Sequence, residues 1–209
     1  MIKTIPSFHL EQSHPGPVVG LDEVGCGPWA GPVVVGAIVF LKYEAFDACT
    51  VPLICDSKQL TSAQREKAYD YLINDEAICY SVGQASVEEI DTLNILQATR
   101  LAMQRAISLL KVKPASALVD GLRKPSNLPC PVTTVVKGDQ ISYSIAAASI
   151  IAKVTRDRIM TDLDKDYPMY GWAKNSGYGT PHHQNALKTH GISPHHRRSY
   201  APIAALLAS

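Results

Sequence analysis

Two short, mainly apolar runs lie near the start of the chain, at 18–23 (VVGLDE) and 33–41 (VVVGAIVFL). Both are rich in β-branched residues and bounded by glycine and proline, the pattern of buried strands. The link between them, VGCGPWAGP, is too short to hold a helix, which predicts a hairpin. A third strand is predicted at 77–85. ALVD (117–120) and PVTTVV (131–136) predict two more, the first of them ending in an acid.

Between the strands the period changes. Thr61-x-x-Gln64 has the form of a capping box and opens a helix to about residue 74; Ser86-x-x-Glu89 repeats the signal. From near 94 to 111 a longer helix is predicted, with Leu96, Met103, Ile107 and Leu110 on one stripe and Pro114 beyond its end. From Ile141 a strong helical pattern runs through SIAAASIIAKVTRDRIMTDLDKDY to Pro168, and its three alanines (146–148) allow close packing on a sheet. Thr180-Pro181 is a helix start and Gly191 a stop. Three early strands followed by alternating helices and strands predict an α/β fold with a central mixed sheet. No repeat or linker divides the chain, so residues 1–209 are read as one domain, with 167–209 as a small C-terminal helical extension.

Composition narrows the class. The chain has 209 residues, 46% of them hydrophobic and 19% charged, enough for one substantial core. No apolar run is long enough to span a bilayer, and the N-terminal MIKTIPSFHLEQSHPG lacks the continuous apolar stretch of a secretory signal. Five cysteines, an odd number without a CxxC, suit a reducing cytoplasm. With no heptad pattern or evident apolar patch, a monomer is expected. The net charge of +1 hides an asymmetry: residues 1–120 carry 9 Lys/Arg and 14 Asp/Glu, whereas 121–209 carry 11 and 5, with five of the seven histidines. A basic C-terminal surface that meets phosphates, beside acids that hold cations, is one reading; ordinary variation in surface charge is the other.

Four acids sharpen it. Asp22 and Glu23 close the first strand, Asp120 closes ALVD, and Asp139 precedes the alanine-rich helix. Sites in α/β sheets form at the carboxyl ends of strands. Carboxylates gathered there repel unless a cation neutralises them, and hard ions such as Mg²⁺ or Mn²⁺ match oxygen ligands. Two such ions suit phosphoryl chemistry. Any one of these acids alone is more simply a cap or a solvated loop residue. Adjacent strand residues also face opposite ways, so Asp22 and Glu23 need a bulge or sharp twist near residues 24–25 to share a site.

The glycines of GCG (25–27) permit close backbone approach to a ligand, or simply make a tight turn. They do not make a dinucleotide fingerprint, because the third glycine is missing and Pro28 follows. SGYGTPHH (176–183) and HHRRSY (195–200) add Tyr178, Arg197 and Arg198. Tyrosine can stack on a sugar and meet a 2′-OH, and arginines suit phosphate. The histidine spacings fit no zinc signature.

Taken together, GLDEVGCGPWAGPVVVGAIVF, DSKQL (56–60), VDG (119–121), VVKGDQISYSIAAASIIAKVTRDRIM (135–160), SGYGTPHH and HRRSY resemble the type 2 ribonuclease H family, in order and spacing, over about 18–203. The resemblance implies a ribonuclease H-like fold. It implies an endonuclease dependent on Mg²⁺ or Mn²⁺, two ions in the active complex, that cuts the RNA strand of RNA–DNA hybrids. It also implies nicking 5′ of a lone ribonucleotide in duplex DNA. The family's metal-binding acids fall on Asp22, Glu23, Asp120 and Asp139, its ribose-sensing tyrosine on Tyr178, and its 2′-OH-reading loop on Gly25, Cys26 and Gly27. Lys58, Arg197 and Arg198 are candidate phosphate contacts. Three positions depart from the family pattern: Cys26 replaces an arginine, Ser176 a lysine and Leu122 an asparagine. A hybrid-binding protein without catalysis, and a two-metal nuclease of the same fold acting on DNA, remain the alternatives.

Overall fold

The computed structural model describes residues 5–43, 46, 54–55 and 57–208. Asp56, the first residue of DSKQL, lies outside them. The hairpin forms as expected: β1 (Val18–Val24) pairs antiparallel with β2 (Val33–Phe40). β3 (Ile78–Ala85) pairs antiparallel with β2, whereas β4 (Ser116–Asp120) and β5 (Val132–Val135) run parallel to β1. The result is a five-stranded mixed sheet of order β3-β2-β1-β4-β5.

Helices cover both faces, which is why β2 is buried at every position. α5 (Tyr143–Asp166) lies on one face, where Ile38 and Phe40 meet Ala146, Ala147, Ile150 and Ile151. α2 (Ser62–Asn74) closes the same cluster with Ala68 and Leu72. α4 (Ile95–Leu109) lies on the other face and packs Ala98, Ala102, Met103 and Ala106 onto Val19, Leu21, Val35 and Val39. Each fully buried Val, Leu or Ile contributes about 1.5–3 kcal/mol. The contact is close because a Cβ on Gly36 would collide with the Ala148 carbonyl, as one on Gly83 would with that of Ala102. The buried stripe of α4 is centred on its alanines, Thr99, Met103 and Ile107, while Leu96 and Leu110 sit at its margins.

Both capping boxes are present, at Thr61/Gln64 and at Ser86/Glu89, the second opening α3 (Val87–Leu93). A short α1 (His9–Gln12) precedes the sheet and lacked a sequence signal. The C-terminal region comprises α6 (Trp172–Asn175), α7 (Pro181–His190), started by Thr180 and stopped at Gly191, and α8 (Ala201–Leu207). Its core of Tyr170, Trp172, Ala186, Leu187 and Ile203 also takes in Ala30 of the hairpin link and Met160 of α5. The link is thereby held between the sheet and the C-terminal region.

Candidate active site

The four acids lie within electrostatic reach at the carboxyl edge of β1 and β4, where Asp22 feels the other three and Glu23 feels Asp120. Asp22 is almost fully buried and Asp139 is 5% exposed, while Glu23 and Asp120 are half-buried. Burial, followed by Glu23, Asp120 and Asp139, pushes the Asp22 carboxyl well above the usual range. Burial and then Asp120 push Glu23 up to about 7. Of the two devices expected near residues 24–25, a bulge or a sharp twist, β1 shows no bulge and the chain turns at Gly25. β1 stays in register through Asp22↔Gly36, Glu23↔Val35 and Val24↔Val34, and the backbone breaks only at Gly25, with φ 95°. Asp22 therefore follows Gly20 on the α5 face, and Glu23 follows Leu21 on the α4 face. They communicate because the strand ends there, so Glu23 reaches Asp120 electrostatically at the sheet's edge.

Two of the aspartates are held by main-chain donors. Asp22 Oδ1 accepts the Glu23 N–H at 2.8 Å, and Asp120 Oδ1 accepts the Gly138 N–H at 2.7 Å. Among the described residues no three His, Cys, Asp or Glu side chains stand close enough to ligate one ion as placed. The chemistry of the set nonetheless suits a hard divalent cation. All four donors are carboxylates, two of them resist ionisation, and Glu23 Oε2 is a buried oxygen without a hydrogen-bond partner. Lys58 is exposed on a short 3₁₀ turn (Ser57–Gln59) and is near enough to lower the pKa of Glu23. Arg65 fixes that turn by donating to the Ser57 and Leu60 carbonyls at 3.1 and 2.6 Å.

Arg197 overturns its expected role as a phosphate contact. It is fully buried and turned inward: Nε donates to Gly31 O at 3.0 Å, Nη1 to Cys26 O at 3.2 Å and Nη2 to Gly25 O at 2.6 Å. The hydroxyl of Tyr200 also donates to Cys26 O. This inward hold orients the glycine loop. In a planar trans peptide the C=O and the following N–H point opposite ways. With the Gly25 and Cys26 carbonyls drawn in, the N–H groups of Cys26 and Gly27 are directed outward. The Cys26 side chain is not, since its Sγ lies 3.6 Å from Thr99 Oγ1 on α4. Burial and then Glu23 raise its thiol pKa.

Tyr178 stands beside this loop, half-exposed, so that a Cβ on Gly27 would lie 3.4 Å from its Cε1. Arg198 is exposed, and its N–H donates to Asp91 Oδ2 at 3.0 Å. A residue the sequence reading missed joins the loops. Arg156 of α5, 1% exposed, donates to Pro32 O, Ala30 O and Ser176 O at 2.9–3.0 Å. Its signal was its place four residues after Ala152 and eight after Ala148, on the buried stripe. Part of the basic C-terminal half is thus internal, not a phosphate-facing surface.

The family model described as Ribonuclease HII matches residues 19–203. A ribonuclease HII of Gluconobacter oxydans is 51% identical over 203 residues, 97% of each chain. Among solved structures, ribonuclease H2 from Pyrococcus horikoshii has a TM-score of 0.72 and 31% identity, covering 90% of this chain and 96% of its own. A Bst RNase HIII solved in complex with Mn²⁺ shares the fold, with a TM-score of 0.70 and 19% identity over 95% of this chain and 72% of its own. These likenesses run through both the acid edge and the loops around it: the chain belongs to the ribonuclease HII family of nucleases, and its fold is that of ribonuclease H.

Proposed function

We propose that this nuclease cuts the RNA strand of RNA–DNA hybrids and nicks duplex DNA on the 5′ side of a single ribonucleotide, leaving 3′-hydroxyl and 5′-phosphate ends. The observation that carries the reading is the pairing of four electrostatically coupled carboxylates with an adjacent loop whose amides face outward beside a half-exposed tyrosine. Asp22, Glu23, Asp120 and Asp139 hold the divalent cations, two Mg²⁺ or Mn²⁺. When bound, these ions neutralise the scissile phosphate and lower the pKa of the attacking water. Asp22 and Asp120 each use only Oδ1 for a main-chain donor, so both keep acceptor capacity for a cation, which would also give Glu23 Oε2 a partner.

The Cys26 and Gly27 N–H groups donate to the ribose 2′-OH, the group that separates RNA from DNA. Tyr178 packs on the sugar from the other side of the loop. Lys58 and Arg198, both exposed, contact flanking phosphates. Residues 167–209 serve as the substrate-contacting extension, carrying Tyr178 and tied to the hairpin link by Arg156 and Arg197.

The test is a gel assay on one labelled duplex with a single ribonucleotide, an all-DNA control and an RNA–DNA hybrid, each with and without Mg²⁺. Cleavage of the first and third with Mg²⁺ alone is expected. Binding without cutting selects the catalytically impaired alternative, and cutting of the all-DNA control selects the DNA nuclease.

A further inference from the structure

The segment that carries Tyr178 ends on buried polar groups with no part in the scheme above. His183 and His196 are both fully buried. Trp29, Tyr170 and Trp172 surround them, with Tyr170 and His196 ring centroids 4.8 Å apart. The two Nε2 atoms face each other at 2.9 Å. At one end of the pair, His183 Nδ1 lies 2.9 Å from the Tyr178 carbonyl oxygen; at the other, His196 Nδ1 lies 2.9 Å from the Ser193 amide nitrogen.

Both ends are fixed by chemistry, because a carbonyl only accepts and a main-chain N–H only donates. His183 must therefore carry its proton on Nδ1. Its Nε2 then accepts from His196 Nε2–H and from the indole N–H of Trp172, 3.3 Å away. His196 Nδ1 is left to accept from the Ser193 N–H, with the Ser193 hydroxyl also 2.9 Å away. One arrangement of two protons satisfies every contact. A third proton costs contacts wherever it goes: on His183 Nε2 it meets two donors, and on His196 Nδ1 it displaces the Ser193 N–H and leaves only the Ser193 hydroxyl to accept it.

We infer that His183 and His196 are positioning residues, a neutral two-imidazole relay from Ser193 to the Tyr178 carbonyl that fixes where the Tyr178 ring stands against the glycine loop. The same carbonyl accepts the Thr180 N–H at 2.8 Å, so the relay grips the turn that starts α7. The inference rests on the proposed contact between Tyr178 and substrate. Burial lowers both imidazole pKa values, that of His196 to about 4. His183 and then His195 push His196 the same way, as His182 does His183, and the Ser193 N–H donating to His196 Nδ1 also favours the neutral ring; only the Tyr178 carbonyl at His183 opposes. Tyr170 faces both rings as a neutral phenol. The pair stays neutral at physiological pH, and acid breaks the relay.

Nitrogen-15 NMR of the full chain tests the relay without a variant. The expected result is an Nδ1–H tautomer on His183, an Nε2–H tautomer on His196, and no titration of His196 above pH 5. An Nε2–H tautomer on His183, or an ordinary titration near 6.5 for His196, overturns the relay. Steady-state cleavage of the single-ribonucleotide duplex with Mg²⁺ tests its purpose. Tyr178→Ala and His196→Ala should each raise KM about tenfold with kcat nearly unchanged, and the double variant should be no more than about twofold worse than Tyr178→Ala. Multiplying effects, about 100-fold in the double variant, would overturn action through Tyr178. His196→Gln keeps a donor toward His183 and should recover most of the loss. It also serves where His196→Ala fails to fold, and a Gln variant as impaired as Tyr178→Ala counts against the relay. An unchanged KM in Tyr178→Ala defeats the substrate reading and with it the positioning role, while the NMR arm decides the tautomers separately.

Discussion

The acid edge and the glycine loop are neighbours, and they treat buried charge in opposite ways. At the acid edge, burial and then Glu23 resist ionisation of Asp22, burial and then Asp120 resist that of Glu23, and Glu23 Oε2 has no hydrogen-bond partner. Around the loop, Arg156 and Arg197 are more deeply buried, yet each spreads its donors over three main-chain carbonyls. One region is left unsatisfied until a cation arrives; the other is satisfied in advance. Under the proposed function, the contrast is between a site that takes up an ion and one that keeps its shape.

The acid side of this contrast breaks most sharply with Asp120→Asn. The amide keeps the size of the side chain and can still accept the Gly138 N–H, so the fold should persist with an unchanged circular dichroism spectrum. Removing one carboxylate charge from the ion site should lower kcat on a hybrid by on the order of 10³-fold, equivalent to about 4 kcal/mol. Near-normal cleavage would remove Asp120 from the chemistry.

Arg197→Met breaks the other side. Methionine fills much of the space but leaves the carbonyls of Gly25 and Gly31 without the buried guanidinium and Cys26 with Tyr200 alone. A loss of about 3 kcal/mol is expected, or about 6–12 °C in Tm for a chain of this size. A surface phosphate contact would leave Tm unmoved, so calorimetry on this variant decides between the two roles.

Much of this contrast was legible in the chain, and where it was not the reason is physical. The strands, both capping boxes and the stops at Gly191 and after Asp166 follow local rules, and they formed within a residue or two of expectation. The four acids were legible because each ends a strand or precedes a helix, where the topology fixes its direction. Arg197 was misread because arginine type suggests a surface, whereas its burial depends on the hairpin link folding back over it, 166 residues away along the chain. The histidine spacings exclude a zinc signature but do not reveal the His183–His196 pair, since nothing local tells that two imidazoles 13 residues apart will meet Nε2 to Nε2. Adjacent strand residues need a bulge or a sharp twist to share a site, and the turn at Gly25, where the strand ends, supplies that freedom without a bulge.

A smaller effect concerns the uncompensated charge itself. Burial and then Asp120 push Glu23 up to about 7, above the ordinary carboxylate range near 4.5. Its contribution to stability is therefore fully present below about pH 4.5 and is lost as pH rises through about 7. The ion-free protein should lose on the order of 1–3 kcal/mol from this group between pH 5 and pH 8, and Glu23→Gln should flatten that part of the profile. Saturating Mg²⁺ at pH 8 should restore about 2 kcal/mol in the unmodified chain and less in the variant. Urea melts at the two pH values, with and without Mg²⁺, measure both. Equal profiles for the two chains would mean that Glu23 ionises freely.

The smallest effect expected is at Cys26. The loop presents its amides by having its carbonyls pulled inward, and this depends on Arg197 and Tyr200, not on the residue 26 side chain. The thiol itself turns to Thr99 and is kept protonated by burial and by Glu23. Cys26→Ala should therefore change KM for a single-ribonucleotide duplex by less than about threefold, under 1 kcal/mol, with no change in the ratio of ribonucleotide to all-DNA cleavage. Alkylation of this thiol by iodoacetamide should likewise be slow at pH 7.5, since the thiolate is the reactive form. A tenfold rise in KM would mean that the thiol touches the substrate. The comparison would then have to be redrawn with the side chain, and not the backbone alone, as the reading surface of the loop.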